Sequence, residues 1–272
     1  MTLCRVLHVN RSTYYKHLNY QPSARTLENQ RIRSAILDVY GKSRKRFGAK
    51  KIRQRLSSEY GINISDGRVG RLMNGMQLPK MATVKPKYVA SPSADVDCPN
   101  LLKKNFGPAT PNQVWVSDIT YVWTGGRFCY ICAILDLFAR TLIVWKTGTS
   151  PTAKFVSDTF NVAYYERGTP SGVLFHSDRG SQYTSSEFRK LMDRLDIVQS
   201  FSAKAHPFDN AVIESFFRYL KHEELNRRSF KSIDELNLSL FEYAHFYNNA
   251  RPHSFNDGMT PAEKERLFFQ FH

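Results

Sequence analysis

Three features that secreted or membrane proteins need are missing from this sequence. Its 272 residues include only four cysteines (Cys4, Cys98, Cys129 and Cys132), too few for the disulfide framework of a secreted protein. An N-terminal signal pattern and an apolar run of about 18 residues are also missing, which predicts a soluble, cytoplasmic protein without a membrane partner. Cys129 and Cys132 share a C-x-x-C spacing, but in a strand they would face opposite sides. We interpret them as buried strand cysteines, and a zinc or redox site is the alternative.

Acidic residues are scarce in the first two-fifths of the chain. Residues 1–105 carry 21 Lys and Arg against 6 Asp and Glu, whereas residues 106–272 carry 18 of each kind. The net charge of +15 therefore comes entirely from the N-terminal part, which predicts a polyanionic partner there. The balanced C-terminal part is long enough for an enzyme-sized domain.

Apolar residues recur with helical spacing through residues 1–77, from a short helix around Leu3 to a last helix around Leu72. Tyr60-Gly61 separates the final two helices, and this pair fits a helix-turn-helix that binds double-stranded DNA. A basic helical bundle with a solvated charged face is the alternative. The side chains that would contact DNA in this region are Arg44, Lys45, Arg46, Lys50, Lys51, Arg68 and Arg71.

Prolines concentrate in residues 78–112. Six of the twelve prolines of the chain lie there: Pro79, Pro86, Pro92, Pro99, Pro108 and Pro111. Proline at this density disfavours both helix and strand, so the pattern predicts an extended linker over residues 78–112.

After the linker, the pattern becomes three strands, a helix, a strand, a helix, a strand and a helix. Gly125-Gly126 marks a hairpin turn between the first two strands. This order predicts an α/β domain of the ribonuclease-H-like fold over residues 113–225, a mixed five-stranded sheet with flanking helices. A helical extension is expected over residues 226–272. The expected strands cover residues 114–123, 128–137, 141–147, 173–175 and 197–201.

Three carboxylates indicate the chemistry of this domain. Asp118 lies on the first strand, Asp178 directly follows the fourth, and Glu214 lies on a later helix. The first and fourth strands are neighbours in the expected fold, so the three side chains can meet. Oxygen ligands without a His or Cys cluster suit Mg²⁺ or Mn²⁺ better than zinc. Two such ions support in-line attack on a phosphodiester, which makes a DNA strand-transfer enzyme our leading hypothesis.

Two cations follow Glu214 on the same helix face. Arg218 and Lys221 come four and seven residues after it, where they would bind a DNA phosphate. An ordinary salt bridge between Glu214 and Arg218 is the alternative.

Polar residues flank the second and third carboxylates. His176, Gln182 and Tyr183 surround Asp178 in an expected loop, where they would orient Asp178 or touch the DNA backbone. For His176, a hydrogen-bonded structural role is the alternative. Asp209 and Asn210 precede the helix that carries Glu214, and we interpret both as helix-capping residues.

The sequence resembles a known family over nearly its whole length. Residues 3–15, 47–73 and 113–265 are similar to the N-terminal segment, helix-turn-helix region and integrase core of the insertion-sequence-three family. The resemblance is to its catalytic-frame (OrfB-type) transposases, which are relatives of retroviral integrases. The C-terminal part of the match includes Tyr247-Asn248-Asn249-Ala250-Arg251-Pro252-His253 and Thr260-Pro261-Ala262-Glu263.

The resemblance implies a complete reaction scheme. Asp118, Asp178 and Glu214 would be the DDE triad, and Lys221 the basic residue that follows its glutamate. The family implies Mg²⁺-dependent cleavage and 3′-hydroxyl strand transfer at the terminal repeats of an element, with target DNA as second substrate. It further implies a homo-oligomer on nucleoid DNA, and fusion with or binding to an upstream-frame protein.

Two other functions remain open from the sequence. One is a non-catalytic DNA-binding regulator derived from a transposase, against which the intact triad argues. The other is a ribonuclease-H-like nuclease or resolvase, against which the long basic N-terminal region argues because it favours duplex DNA.

Overall fold

A computed structural model describes residues 10–78, 98–203 and 207–271. The chain forms two compact units, the first ending at Lys80 and the second beginning at Met81. The predicted helix around Leu3 and residues 79–97 of the predicted linker lie outside the described residues. Among the described residues, no helix combines the length and the apolar composition that crossing a membrane requires.

The first unit is helical in its described part. Its helices are α1 (Arg11–Leu18), α2 (Ala24–Lys42), α3 (Ala49–Tyr60) and α4 (Asp66–Gly75). Helix α3 ends at Gly61, whose φ of 64° is left-handed and suits glycine. Helix α4 begins where the Ser65 hydroxyl accepts a hydrogen bond from the Arg68 backbone N–H. The predicted pair of helices around Gly61 is therefore confirmed. Its fully buried core residues are Ile36, Ile52, Leu56 and Val69.

The second unit is built on a five-stranded sheet in the order β3-β2-β1-β4-β5. Strands β1, β2 and β3 are antiparallel, whereas β4 runs parallel to β1 and β5 parallel to β4. Gly125 and Gly126 form the predicted hairpin turn with φ of 56° and 83°. This is the expected mixed sheet, with β1 and β4 adjacent. The strands are β1 (Val114–Thr124), β2 (Arg127–Asp136), β3 (Thr141–Gly148), β4 (Leu174–Ser177) and β5 (Val198–Phe201).

Helices flank both faces of the sheet. On one face, the rings of Phe160, Phe175 and Phe188 pack together in the core. On the other, α8 contacts β1 and α9 contacts β3. A one-turn helix replaces the loop expected around Gln182, and the last helix was not predicted. The helices are α5 (Ala153–Glu166), α6 (Ser181–Thr184), α7 (Ser186–Arg194), α8 (Ala211–Glu223), α9 (Ile233–Asn249) and α10 (Pro261–Phe271).

The two cysteines of the C-x-x-C spacing lie on β2, and both are fully buried, as predicted. Strand alternation points them to opposite faces of the sheet. The Cys132 thiol lies 3.8 Å from the Ser117 hydroxyl, and burial raises its pKa to about 11. Cys132 is therefore a protonated core side chain at neutral pH.

The described end of the predicted linker packs onto the sheet domain. Cys98 and Leu102 are buried, the Pro99 carbonyl accepts a hydrogen bond from the Phe201 N–H (2.9 Å), and the Arg179 guanidinium donates to the Cys98 carbonyl (3.1 Å). The prediction of an extended linker is therefore wrong for residues 98–112. Proline keeps this segment out of helices and strands, but carbonyl groups next to proline still accept hydrogen bonds.

The structure does not separate the predicted extension at residue 226 from the sheet domain. Arg251, which follows α9, is buried and donates to both carboxylate oxygens of Glu223, the last residue of α8. Because breaking a buried ion pair is strongly destabilising, this pair ties the extension to the core. Both belong to one unit.

Candidate active site

Asp118 and Asp178 lie where two parallel strands separate. Strands β1 and β4 pair in register at Val116 and His176, and each aspartate comes two residues later in its own strand direction. Neighbouring strands are about 4.8 Å apart, so this register brings both aspartates to one edge of the sheet. Strand β4 ends at Ser177 while β1 continues, which leaves the edge of β1 open beside Asp118.

Backbone N–H groups hold both aspartates. One carboxylate oxygen of Asp118 accepts a hydrogen bond from the Ile119 N–H (2.7 Å), and Asp178 Oδ1 accepts one from the Gly180 N–H (2.9 Å). A Cβ atom on Gly180 would lie 2.9 Å from Asp178 Oδ1 and 2.8 Å from Gln182 Oε1. Glycine at this position therefore lets the Asp178 carboxylate fold against the backbone.

Glu214 lies in the first turn of α8, and its side chain is exposed. Helix α8 packs against β1, the strand that carries Asp118. At the start of α8, Asn210 Nδ2 donates a hydrogen bond to the Ser117 carbonyl oxygen, 3.2 Å away. Glu214 is thus brought to the same strand as Asp118.

The helix-capping interpretation of Asp209 and Asn210 is wrong. Asn210 occupies the N-cap position without a side-chain cap hydrogen bond, because its amide reaches Ser117 instead. The buried Asp209 carboxylate accepts hydrogen bonds from Asn100 Nδ2 (2.8 Å) and from the Ala203 N–H (2.9 Å). Both side chains therefore join distant segments, which local sequence does not indicate.

The three carboxyl groups are coupled through their charges. The pKa of Asp118 is raised to about 8, first by burial and then by the neighbouring Asp178, with a smaller contribution from Glu214. Hydrogen bonding from Ile119 and the charge of Lys221 act in the opposite direction. At neutral pH the metal-free site therefore keeps Asp118 protonated.

The other two carboxyl groups show the same trend. Protein atoms around Asp178 raise its pKa, although its side chain is open to solvent, and the Gly180 N–H lowers it. Protein atoms around Glu214 raise its pKa although its side chain is exposed, Arg218 lowers the pKa and Asp178 raises it. Crowding of negative charge is what a bound cation would relieve.

The described residues contain no group of three His, Cys, Asp or Glu side chains close enough to share one ion. Asp118, Asp178 and Glu214 are therefore coupled neighbours, not three ligands around a single point. Their oxygen-only chemistry fits Mg²⁺ or Mn²⁺, since Mg²⁺ uses few carboxylates and keeps several waters.

Comparisons with known proteins match both parts of the chain. The integrase core domain family matches residues 108–207, a second integrase core domain model matches residues 195–261, and an HTH-like domain matches residues 27–88. The 31 kDa protein of insertion element IS600 from Shigella sonnei is 32% identical, over 98% of this chain and 99% of that protein. This chain belongs to the IS3 family of insertion-sequence transposases.

Two further relatives also match this chain over more than nine-tenths of its length. The transposase of IS904 from Lactococcus lactis is 32% identical over 92% of this chain and 99% of its own length. The InsF transposase of IS3A from Escherichia coli is 31% identical over 97% of this chain and 92% of its own length. This transposase thus has an integrase catalytic core and an HTH-like region.

Solved structures show weaker similarity. A chain of the simian T-cell lymphotropic virus intasome is 13% identical, with a TM-score of 0.47 over 78% of this chain and 73% of that one. The HTLV-2 integrase catalytic core, solved with magnesium, is 17% identical, with a TM-score of 0.42 over 58% of this chain and 97% of that one. With both TM-scores below 0.5, these similarities support no conclusion about the transposase.

His176 and Tyr183 lie in the interior of the transposase. His176 Nδ1 is 2.8 Å from the Ser200 hydroxyl, and burial lowers the pKa of the histidine to about 4. The Tyr183 hydroxyl is 2.8 Å from that of Ser117, the residue before Asp118. Both rings are therefore inaccessible to DNA, which favours the structural alternative for His176. Gln182 is half-buried beside Gly180.

Lys221 and Arg218 differ in which carboxylate they act on: Lys221 is coupled to Asp118 and Arg218 to Glu214. Lys221 Nζ lies 5.4 Å from the centre of the Tyr121 ring, and its pKa is lowered by burial and raised by Asp118. Arg218 is exposed, donates to the Ser215 hydroxyl (3.3 Å) and lies over Tyr219. Lys221 is therefore the cation nearer to Asp118.

The predicted DNA-contact residues of the first unit differ in their exposure and in their protein partners. Arg68 donates to both carboxylate oxygens of Glu28 and to Asn29, so it already has protein partners. Arg46 is buried, which is incompatible with the surface contact that we expected of it. Lys51 is half-buried beside the Phe47 ring. The exposed members are Arg44, Lys45, Lys50 and Arg71.

Proposed function

We propose that this transposase cuts DNA at the ends of its element and joins the freed 3′-hydroxyl to target DNA, using Asp118, Asp178 and Glu214. The observation that carries this proposal is the electrostatic coupling of Asp118 to both other carboxyl groups at the open edge of β1. The three groups come from three elements, β1, the end of β4 and α8, and the register of β1 with β4 and the packing of α8 on β1 support their convergence.

Asp118, Asp178 and Glu214 would supply the carboxylate ligands of the metal ions. Two Mg²⁺ or Mn²⁺ ions, when bound, activate the attacking oxygen and stabilise the leaving oxygen. The protein's contribution is to hold the carboxylates in place: the Ile119 and Gly180 N–H groups orient the two aspartates.

Lys221 would bind the DNA phosphate next to the scissile bond. Its side chain is half-buried and electrostatically coupled to Asp118. An ammonium group beside an acidic metal site is stable there when an anion neutralises it. Arg218, which is exposed on the same helix, would contact the backbone further out.

Residues 1–77 would bind duplex DNA through their positive charge. Arg44, Lys45, Lys50 and Arg71 have exposed side chains and would contact the phosphates. We assign the helix-turn-helix of α3 and α4 to this contact, and we withdraw Arg46 from it because it is buried. Binding by this region should weaken steeply with salt, because counterion release scales with the phosphates neutralised.

The assembly would be a homo-oligomer on nucleoid DNA, acting alone or with the protein of an upstream reading frame. The metal ions would be bound only once the carboxylates are deprotonated, which couples ion binding to proton release. Residues 78–112 would connect the two units, with residues 98–112 fixed to the second.

The proposal is tested by a nicking and joining assay on DNA that carries the element's own ends, with Mg²⁺. Wild type would be compared with Asp178→Asn and with Glu187→Gln, an exposed carboxylate on α7 that serves as a matched control. Each protein would be assayed alone and fused to the upstream frame. We expect products from wild type and the control, and a loss of about a thousandfold in Asp178→Asn with DNA binding retained.

End binding without products from any form would favour the regulator. Cleavage of RNA–DNA hybrids in preference to duplex DNA would favour the nuclease. Loss of DNA binding together with cleavage in Asp178→Asn would contradict the assignment of Asp178 to the metal site.

A further inference from the structure

The far half of the β1–β2 hairpin carries a group of aromatic side chains, the hairpin aromatic patch, formed by the exposed Tyr121, Trp123 and Phe128 and the half-buried Tyr130. Tyr121 is opposite Tyr130 and Trp123 opposite Phe128, so all four lie on one face of the hairpin. The ring centres of Trp123 and Phe128 are 4.9 Å apart, and those of Tyr121 and Phe128 are 5.3 Å apart. Trp123 is 58% exposed and Phe128 49%.

Cross-strand packing alone does not explain this patch. Aromatic pairs do stabilise hairpins, but by only about 0.2–1 kcal/mol each. A contiguous exposed apolar surface of this kind usually marks a binding site. The patch lies on the same face of the sheet as Trp115 and Ile119, which helices cover. Farther along the hairpin this face is open to solvent.

The hairpin is held rigidly at its tip. The Gly125 N–H donates to the Phe230 carbonyl (3.1 Å), and Thr124 forms a β-bridge with Phe230. A Cβ atom on Gly125 would lie 2.9 Å from the Lys231 carbonyl oxygen, so glycine is required for this close approach. The patch is therefore presented on a fixed platform, and a ligand would bind without ordering the hairpin first.

The hairpin itself carries cationic but no acidic side chains near the patch. Residues 119–135 contain no Asp or Glu, while Arg127 lies at the hairpin turn and is exposed. Lys221 links the patch to the carboxylates, because its ammonium group lies over the Tyr121 ring and is coupled to Asp118. Aromatic rings combined with cations are the surface that binds single-stranded nucleic acid, since bases stack on the rings and cations hold the backbone.

We propose that the hairpin aromatic patch stacks an unpaired base of the DNA strand that passes Lys221, next to the scissile phosphate. The inference rests on the proposed function, because it takes the DNA strand bound at Lys221 to be the strand that is cut. An unstacked base would open the duplex at the site of reaction and fix the position of the phosphate. Every base has a π-face, so this contact tolerates any sequence.

The test measures DNA affinity in an Asp178→Asn background, where the strand stays intact. The DNA carries either a normal nucleotide or an abasic one at each position in turn around the scissile phosphate. We expect Trp123→Ala to weaken binding of normal DNA roughly 5- to 100-fold. At one or two positions, an abasic nucleotide should weaken binding by the protein that retains Trp123 to a similar extent. Combining Trp123→Ala with the abasic nucleotide at such a position should weaken binding no further. Trp123→Phe should retain most of the affinity.

Tyr165→Ala is the matched control, since Tyr165 is 70% exposed on α5, outside the patch, and should leave affinity unchanged. The inference is overturned if Trp123→Ala does not change affinity, or if its effect is the same on abasic DNA at every position. It is also overturned if Trp123→Ala lowers self-association of the protein without changing the response to abasic DNA, because the patch would then join two copies of the chain. In each case, metal-dependent cleavage by wild type would still stand as separate support for the proposed function.

Discussion

Asn210 donates a hydrogen bond to the Ser117 carbonyl oxygen, 3.2 Å away, and thereby joins the start of α8 to β1. Ser117 precedes Asp118, and Asn210 lies four residues before Glu214. One side-chain amide therefore fixes the relative position of two of the three proposed metal ligands.

Replacing Asn210 with Asp should reduce cleavage more than it reduces stability. Aspartate has the same shape but cannot donate to the Ser117 carbonyl, which would leave a buried acceptor unsatisfied at a cost of about 1–3 kcal/mol. We expect cleavage to fall roughly 10- to 100-fold, as is typical when a residue that orients a metal ligand is lost. The measurement is the cleavage rate together with thermal unfolding, with Asn249→Asp, an exposed site, as control. An unchanged cleavage rate in Asn210→Asp would contradict the role of Asn210 in positioning the metal ligands.

Gly180→Ala should lower cleavage while leaving the fold almost as stable. The added Cβ would lie under 3 Å from Asp178 Oδ1 and Gln182 Oε1, and both of these are ends of side chains that can rotate away. The strain is relieved by moving the Asp178 carboxylate, so we expect cleavage to fall about 10- to 100-fold. Gly107→Ala is the control, because a Cβ there meets only Phe255 at 4.0 Å. A variant that cleaves normally would show that the position of Asp178 is not critical.

The sequence predicted where the three carboxylates lie because each adjoins an element with a clear pattern. Asp118 and Asp178 border apolar runs, and the strand–helix order made their strands neighbours. The link between Asn210 and Ser117 was not predictable, since these residues are far apart in the chain and asparagine before a helix normally caps it. The one-turn helix containing Tyr183 was also missed, because four residues cannot display a helical period.

One missed element did have a signal. Helix α10 begins with Pro261 as its first residue, and Thr260 and Glu263 form a reciprocal capping box: the Glu263 N–H donates to the Thr260 hydroxyl, and Glu263 accepts from the Thr260 N–H. These residues were recognised as a family motif but not as the start of a helix. The packing of residues 98–112, in contrast, depends on long-range contacts such as that between Cys98 and Arg179.

Asp118→Asn should stabilise the metal-free protein at high pH. The pKa of Asp118 is raised to about 8 in the folded state, so the unfolded chain loses this proton at lower pH than the folded one. Stability from this group is present below the unfolded pKa of about 4 and is lost as pH rises towards 8. Thermal unfolding at pH 5 and pH 8 without divalent ions should show the variant gaining most at pH 8, by a few degrees. An equal pH dependence in both proteins would contradict the raised pKa of this carboxyl group.

His176 should make the protein sensitive to acid. Its folded pKa is lowered to about 4, so its stabilising effect is present above the unfolded pKa of about 6.5 and is lost as pH falls towards 4. We expect a flatter decline of unfolding free energy over this range in His176→Asn than in wild type, measured by denaturant titration. His245→Asn, at an exposed histidine, should keep the wild-type slope.

The most direct test of the metal-binding triad exchanges a carboxylate for a sulfur ligand. Asp178→Cys would be assayed for nicking of element-end DNA in Mg²⁺ and in Mn²⁺, beside wild type. Mg²⁺ demands oxygen ligands, whereas Mn²⁺ tolerates softer ones. If Asp178 holds the catalytic ion, the variant should be inactive in Mg²⁺ and recover activity in Mn²⁺, while wild type cleaves with both. The role of Asp178 as a metal ligand would be contradicted if the variant cleaved at the wild-type rate in Mg²⁺. It would also be contradicted if the variant bound DNA but did not cleave in either ion.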